Sequence, residues 1–229
     1  MRTYSKSPSE TENSNMPIVA VSGHARKVGK TSIVEGLIAA LPQCDWTALK
    51  ISSNWHAGAP TDQGCSIIEE NGTETGAENN GRGKSGMGSG DTSRFLAAGA
   101  RRAFWVRTRH DSMAETLAEV RALLASAPFA IIEGNDIFDY IHADFHILIL
   151  NYGIEEFKTS ARHIIPRVDA LVAVHENMQF HTSTPQLWRS FIDEASKNTS
   201  NIPLFETGDP KIVPPALLDL IRTRLPLSE

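Results

Sequence analysis

The sequence predicts a three-layer α/β/α fold built on a mostly parallel sheet of six or seven strands. Three observations predict it. Short β-branched or apolar runs alternate along the 229 residues with segments of helical period. A glycine- and lysine-bearing loop, Gly23 to Thr31, separates the first such run from the first helical segment. A later apolar run, Phe129 to Ile132, ends on an acid, Glu133.

The elements follow in order. Ile18 to Ser22 is β-branched and apolar and reads as a buried strand ended by Gly23. Thr31 to Leu41 places Ile33, Val34, Leu37, Ile38 and Leu41 at helical spacing, and Pro42 stops the helix. Trp46 to Ile51 is the next strand, which completes a βαβ unit and implies parallel pairing. Asn54 to Gly90 then breaks the pattern, with nine of the sixteen glycines and no sustained period. It reads as a mobile insertion, unstructured from Gly72 to Gly90, or as a dispensable linker. Asp91 is an N-cap candidate for a helix over Thr92 to Ala98, which Gly99 can end in the left-handed conformation. Ala103 to Arg107 is a strand, Met113 to Leu124 an amphipathic helix, and Phe129 to Glu133 a buried strand. Phe145 to Leu150 is a strand, Ser160 to Val168 a helix, and Leu171 to Val174 a strand. Pro185 to Ser196 is a helix, Ile202 to Phe205 a last strand, and Pro215 to Arg224 a closing helix.

Composition narrows the function classes. A hydrophobic fraction of 41% and a charged fraction of 21% are those of an ordinary globular protein. A net charge of −5 gives no reason to expect nucleic acid or an anionic membrane as partner. Met1 to Asn15 is polar and reads as a disordered tail rather than a signal peptide, leaving one domain over residues 16–229. No run reaches the roughly 18 apolar residues of a membrane helix. A cytoplasmic location is expected. Cys44 and Cys65 have no metal spacing.

The loop Gly23-His24-Ala25-Arg26-Lys27-Val28-Gly29-Lys30-Thr31 follows a strand and opens a helix, the context a phosphate-binding P-loop requires. Its backbone amides, with Ser32 beside them, are expected to curl around phosphate oxygens at a helix N-terminus. Gly29 lets the backbone approach the ligand closely. Lys30 bridges β- and γ-phosphates in this reading, and the Thr31 hydroxyl takes magnesium. A nucleoside triphosphate, ATP or GTP, and Mg2+ are the expected ligands. Five residues separate Gly23 from Gly29, where the general pattern has four.

An acid ending a strand beside such a loop holds the metal or a metal-bound water, and Glu133 is placed for that task. Lys50, at the end of its strand, reads as a stabiliser of transferred phosphoryl charge, as a holder of an acidic substrate, or as a surface lysine. Lys30, Lys50 and Glu133 form the expected catalytic set. Arg26 and Lys27 add positive potential to the loop. His24 and His56 lack a partner at helical spacing that would make either a metal ligand. Lys158, in Phe157-Lys158-Thr159-Ser160, reads as the cap of a helix near the site, or as a weak phosphate anchor. No Asn-Lys-x-Asp stretch reads the base, and no glutamine is placed to orient water, so slow hydrolysis by the isolated chain is expected.

The loop ending Val28-Gly29-Lys30-Thr31 resembles the phosphate loop of dethiobiotin synthetase. Lys50 after the second strand, the stretch Asn54-Trp55-His56, and Gly90-Asp91-Thr92-Ser93-Arg94 running into Ala98-Gly99-Ala100 resemble the molybdopterin-guanine dinucleotide biosynthesis adaptor family (MobB). Both families place a Glu-Gly pair at a strand end, as Glu133-Gly134 does here. This chain departs from both in continuing with Asn135-Asp136. The resemblance implies magnesium held between Thr31, Asp91 and Glu133, and an adaptor NTPase serving a partner enzyme of molybdenum cofactor biosynthesis. The alternative it implies is an ATP-dependent synthase that activates a carboxylate or carbamate. A homodimer is expected by analogy alone.

Overall fold

The structure is a computed structural model that describes residues 16–53, 65–70, 90–109, 112–175 and 202–226. The expected tail 1–15, Asn54-Trp55-His56, the stretch 72–89 and the helix expected over 185–196 lie outside the described residues.

Among the described residues, eight strands form one sheet: β1 (Ile18–Gly23), β2 (Thr47–Ser52), β3 (Cys65–Glu69), β4 (Arg102–Thr108), β5 (Ala130–Glu133), β6 (Phe145–Asn151), β7 (Ala170–Val174) and β8 (Leu204–Thr207). Their order is β3-β4-β2-β5-β1-β6-β7-β8. All pairs are parallel except β3 with β4. The count corrects the expected six or seven. The additional strand is β3, inside the segment read as an insertion, with its residues only partly buried at the sheet edge.

Among the described residues, five helices flank the sheet: α1 (Lys30–Ala40), α2 (Gly90–Ala97), α3 (Met113–Leu124), α4 (Thr159–Ile164) and α5 (Pro215–Arg224). Strand alternation assigns them to layers. Val19, Val21, Ala48, Ile131 and Val172 share one core with Ile33 and Leu37 of α1, Phe95 of α2 and Leu217 of α5. Ala20, Leu49, Ile132, Leu148 and Leu171 share the other with Val120 of α3 and Ile164 of α4. Each large apolar side chain so buried contributes about 1.5–3 kcal/mol relative to exposure. These two cores make the three layers.

Asp91 is not an N-cap. Helix α2 begins at Gly90, which places Asp91 in its first turn. Its other end is as expected. Gly99 has φ +107°, its amide donates to the Leu96 carbonyl, and the Ala100 amide donates to that of Phe95. The segment read as a helix over 160–168 is α4 followed by a 3-10 turn, Ile165–Arg167, with Pro166 at its start.

Candidate phosphate-binding site

The site lies at the carboxyl ends of β1, β5 and β2, and sheet register builds its centre. Val21 stands opposite Glu133, Glu133 opposite Lys50, and Lys50 opposite Trp105. In a parallel pair such neighbours point to the same face, so Lys50 and Glu133 meet directly. The Lys50 Nζ donates to Glu133 Oε1 and lies 3.1 Å from Asp91 Oδ2. The Thr31 hydroxyl donates to Glu133 Oε2 at 3.0 Å. Glu133 is buried, at 1% exposure, so its carboxylate needs these donors.

The loop before α1 turns through two left-handed residues, Lys27 at φ 58° and Gly29 at φ 98°. Gly29 is required for that backbone conformation and because Pro210 lies 3.1 Å from where a β-carbon would stand. The amides of Lys27, Gly29, Lys30 and Thr31 have no acceptor among the described residues. A helix N-terminus with such amides is a receptive place for an anion.

The start of the loop differs. The His24 amide donates to the Ile149 carbonyl at 3.1 Å, and the Gly23 amide to Asn135 Oδ1 at 3.2 Å. The His24 ring accepts at Nε2 from the Asn151 amide, which leaves Nδ1–H to donate to the Glu156 carbonyl at 2.8 Å. Burial lowers the His24 pKa and keeps the ring neutral. His24 therefore fastens the loop to the segment after β6, and neither its ring nor its amide is directed to a ligand. Ala25 and Val28 are buried, so any contribution to binding comes from their backbone.

Lys30 bends back, its Nζ donating to the Ala25 carbonyl at 3.3 Å. Burial is the main cause that lowers its pKa to about 8, with Glu133 opposing and Lys50 and Lys158 reinforcing the shift. Burial also works against the charge on Lys50, yet Glu133 and Asp91 outweigh it and raise the pKa. Lys50 is thus a committed cation of the site rather than a surface lysine. Arg94 of α2 reaches α1, where its guanidinium pairs with Glu35 and donates to Ser32 Oγ at 3.0 Å.

These residues line an open pocket of about 350 Å³, in which Lys27, Gly29, Lys30 and Thr31 of the loop and helix start face Lys50, Glu133, Asp91 and Arg94. Among the described residues no group of three or more His, Cys, Asp or Glu forms a metal cage. The oxygen set present nevertheless fits magnesium, which keeps several waters and takes one or two carboxylates beside the phosphates. Thr31 and Glu133 are in contact, and Asp91 reaches the same centre through Lys50. Sequence reasoning missed Asn135, whose amide donates to the Gly23 carbonyl at 2.9 Å and whose oxygen accepts from the Gly23 amide. Its signal was the departure after Glu133-Gly134. His56 lies outside the described residues.

No protein-family model matches the chain, and no curated protein matches it. The hydrogenase maturation factor HypB from Archaeoglobus fulgidus is similar in structure. It is 12% identical, with a TM-score of 0.51, over 92% of this chain and 90% of that one. HypB from Helicobacter pylori, in complex with nickel, is 14% identical with a TM-score of 0.49 over 92% and 88%. At such identity the likeness is one of fold alone, a mostly parallel sheet flanked by helices. Among the described residues no helix is long and apolar enough to cross a membrane.

Proposed function

We propose that the chain binds a nucleoside triphosphate with magnesium at the loop Gly23 to Thr31 and acts as a slow NTPase of the MobB-like adaptor type. One observation carries the nucleotide reading. Thr31, Glu133 and Lys50 are hydrogen-bonded together at the mouth of a loop whose amides of Lys27, Gly29, Lys30 and Thr31 are uncommitted. Those amides and the Lys30 ammonium would receive the β- and γ-phosphates, while Thr31 and Glu133 would hold magnesium, with Asp91 beside them. Bound magnesium supplies neutralisation of charge on the phosphate oxygens. Lys50, paired with Glu133 and Asp91 beside the loop, would transfer a hydrogen bond from a carboxylate to a γ-phosphate oxygen.

The adaptor reading is supported by the placement of the segment that carries the resemblance. Asp91 and Arg94 both border the phosphate pocket, so a partner enzyme seated on α2 would reach the γ-phosphate end of the site. Molybdenum cofactor biosynthesis is the pathway this implies, and a homodimer remains an analogy. A second reading, an ATP-dependent synthase of the dethiobiotin synthetase type, is favoured by a larger cleft that adjoins the pocket at Lys30, Lys50 and Glu133.

The test is a titration of wild type and Lys30→Ala with ATP and GTP, with and without magnesium, with phosphate release followed in the same samples. Wild type should bind about tenfold or more tightly than the variant, a difference near 1.4 kcal/mol. Turnover of the isolated chain should be slow. Equal binding by the two proteins would remove the site assignment, and rapid steady-state release by the chain alone would remove the adaptor reading.

A further inference from the structure

Beside the phosphate pocket lies a cleft of about 720 Å³, within the size of small-molecule sites. Trp105 and Ile51 form an apolar wall, Ser53 and Ser160 supply hydroxyls, and Arg26 and Lys158 supply charge. The two openings share Lys30, Lys50 and Glu133, so the cleft meets the pocket at the end where a γ-phosphate would lie. Arg26 and Lys158 border only the larger cleft.

Charge in this cleft is out of balance. Four cations, Arg26, Lys30, Lys50 and Lys158, face two carboxylates, Glu133 and Asp136. Glu133 is taken by Lys50 and Thr31, and Asp136 accepts a hydrogen bond from the Ser53 hydroxyl. Among the described residues neither Arg26 nor Lys158 has a carboxylate partner. Lys158 is also placed deliberately. Its amide donates to the His24 carbonyl at 2.8 Å, and the His24 ring holds Glu156, two residues earlier. Burial lowers the Lys158 pKa and Arg26 lowers it further by repulsion, while Glu156 and Asp136 oppose the shift. Asp136 and Glu156 offset only part of this repulsion, since neither comes within ion-pairing distance of Lys158, and a bound oxyanion would balance the remaining positive charge.

We propose that this cleft binds a small organic oxyanion, a carboxylate or phosphate ester distinct from the triphosphate, with its charged end between Arg26 and Lys158 and its body against Trp105. In the synthase reading above, this ligand would be the second substrate. Its position next to a γ-phosphate rests on the nucleotide reading above, whereas its binding rests on the cleft alone. The Ser53 hydroxyl, which donates to Asp136, keeps acceptor capacity for polar groups on its body, and the Ser160 hydroxyl, which accepts from the Asn135 amide at 3.4 Å, keeps its proton to donate. Trp105 is held by its own hydrogen bond, Nε1 to Ser52 Oγ at 3.3 Å, and by the Arg107 guanidinium 4.9 Å from its ring centre.

Calorimetry separates the possibilities, with succinate as the carboxylate probe and glycerol phosphate as the phosphate-ester probe. Each is titrated into the full chain with and without magnesium and a non-hydrolysable triphosphate. One of the two should bind with a Kd below about 1 mM and a stoichiometry of one. Lys158→Ala should weaken that probe at least about tenfold, and by more than it weakens the triphosphate. Lys158→Arg should restore binding, which guards against a folding defect. Binding of neither probe, or binding indifferent to Lys158→Ala, overturns the proposal. A chain that holds a probe through Lys158 but no triphosphate would refute only the nucleotide reading.

Discussion

Ser22, His146 and Asn135 tie the ends of β1, β5 and β6 together through side chains that carry no charge at neutral pH. The Ser22 hydroxyl donates to the Gly134 carbonyl at 2.8 Å. That leaves its oxygen to accept from His146 Nε2–H, also at 2.8 Å. Burial, with a smaller contribution from Arg167, lowers the His146 pKa from 6.5 to about 3. The unfolded chain therefore takes up this proton first on acidification. Stability from the neutral ring is complete above pH 6.5 and is lost as pH falls towards 3. At about 1.4 kcal/mol per unit, the loss amounts to several kcal/mol. His146→Leu should flatten the acid side of the stability profile, at a cost of about 1 kcal/mol at pH 7 for the hydrogen bond removed. Urea midpoints measured from pH 7 to pH 4 check it, and parallel profiles for variant and wild type would contradict the assignment.

Helix α2 shows what an element adds to its residues. Phe95 is fully buried in the core shared with α1, and the left-handed turn at Gly99 closes the helix with two 3.0 Å bonds, from the Gly99 amide to the Leu96 carbonyl and from the Ala100 amide to the Phe95 carbonyl. Arg94 then ties α2 to Glu35 and Ser32 of α1, so that Asp91 and the phosphate loop are held by the same joint. Arg94 is partly exposed, at 39%, and its ion pair contributes under about 1 kcal/mol to global stability. Arg94→Ala should therefore change urea unfolding little while weakening magnesium-triphosphate several-fold. Unchanged affinity would mean that α2 takes no part in the site. Such joints were only partly legible in the sequence. Helices α3 and α5 begin and end where their apolar period predicts, because their cores are set by local spacing. Strand β3 was not, because Cys65 to Glu69 is short, half-exposed and surrounded by glycine-rich chain. The start of α2 was misplaced because glycine precedes the acid that usually caps.

At the scale of the molecule, the sheet order decides which strand ends meet. Placing β5 between β1 and β2 brings Glu133 beside both the phosphate loop and Lys50. The sequence names these three features as chemistry, yet register between distant strands depends on contacts that no local window contains. The contact of Lys50 with Glu133 and the separation of His24 from the pocket were therefore beyond it, although the loop and the acid were not. A ligand in this pocket would touch α1, α2, β2 and β5 together, and so should stabilise the whole fold rather than one segment. By linkage, ligand at about one hundred times its Kd adds about 2.7 kcal/mol. For a domain of this size that corresponds to a Tm rise of roughly 5–10 °C. Calorimetric scans with magnesium and triphosphate should show the rise in wild type and not in Lys30→Ala at the same concentration. An equal rise in both proteins would place the ligand elsewhere, because a nucleotide that ignores the Lys30 ammonium is not seated with its phosphates in this loop.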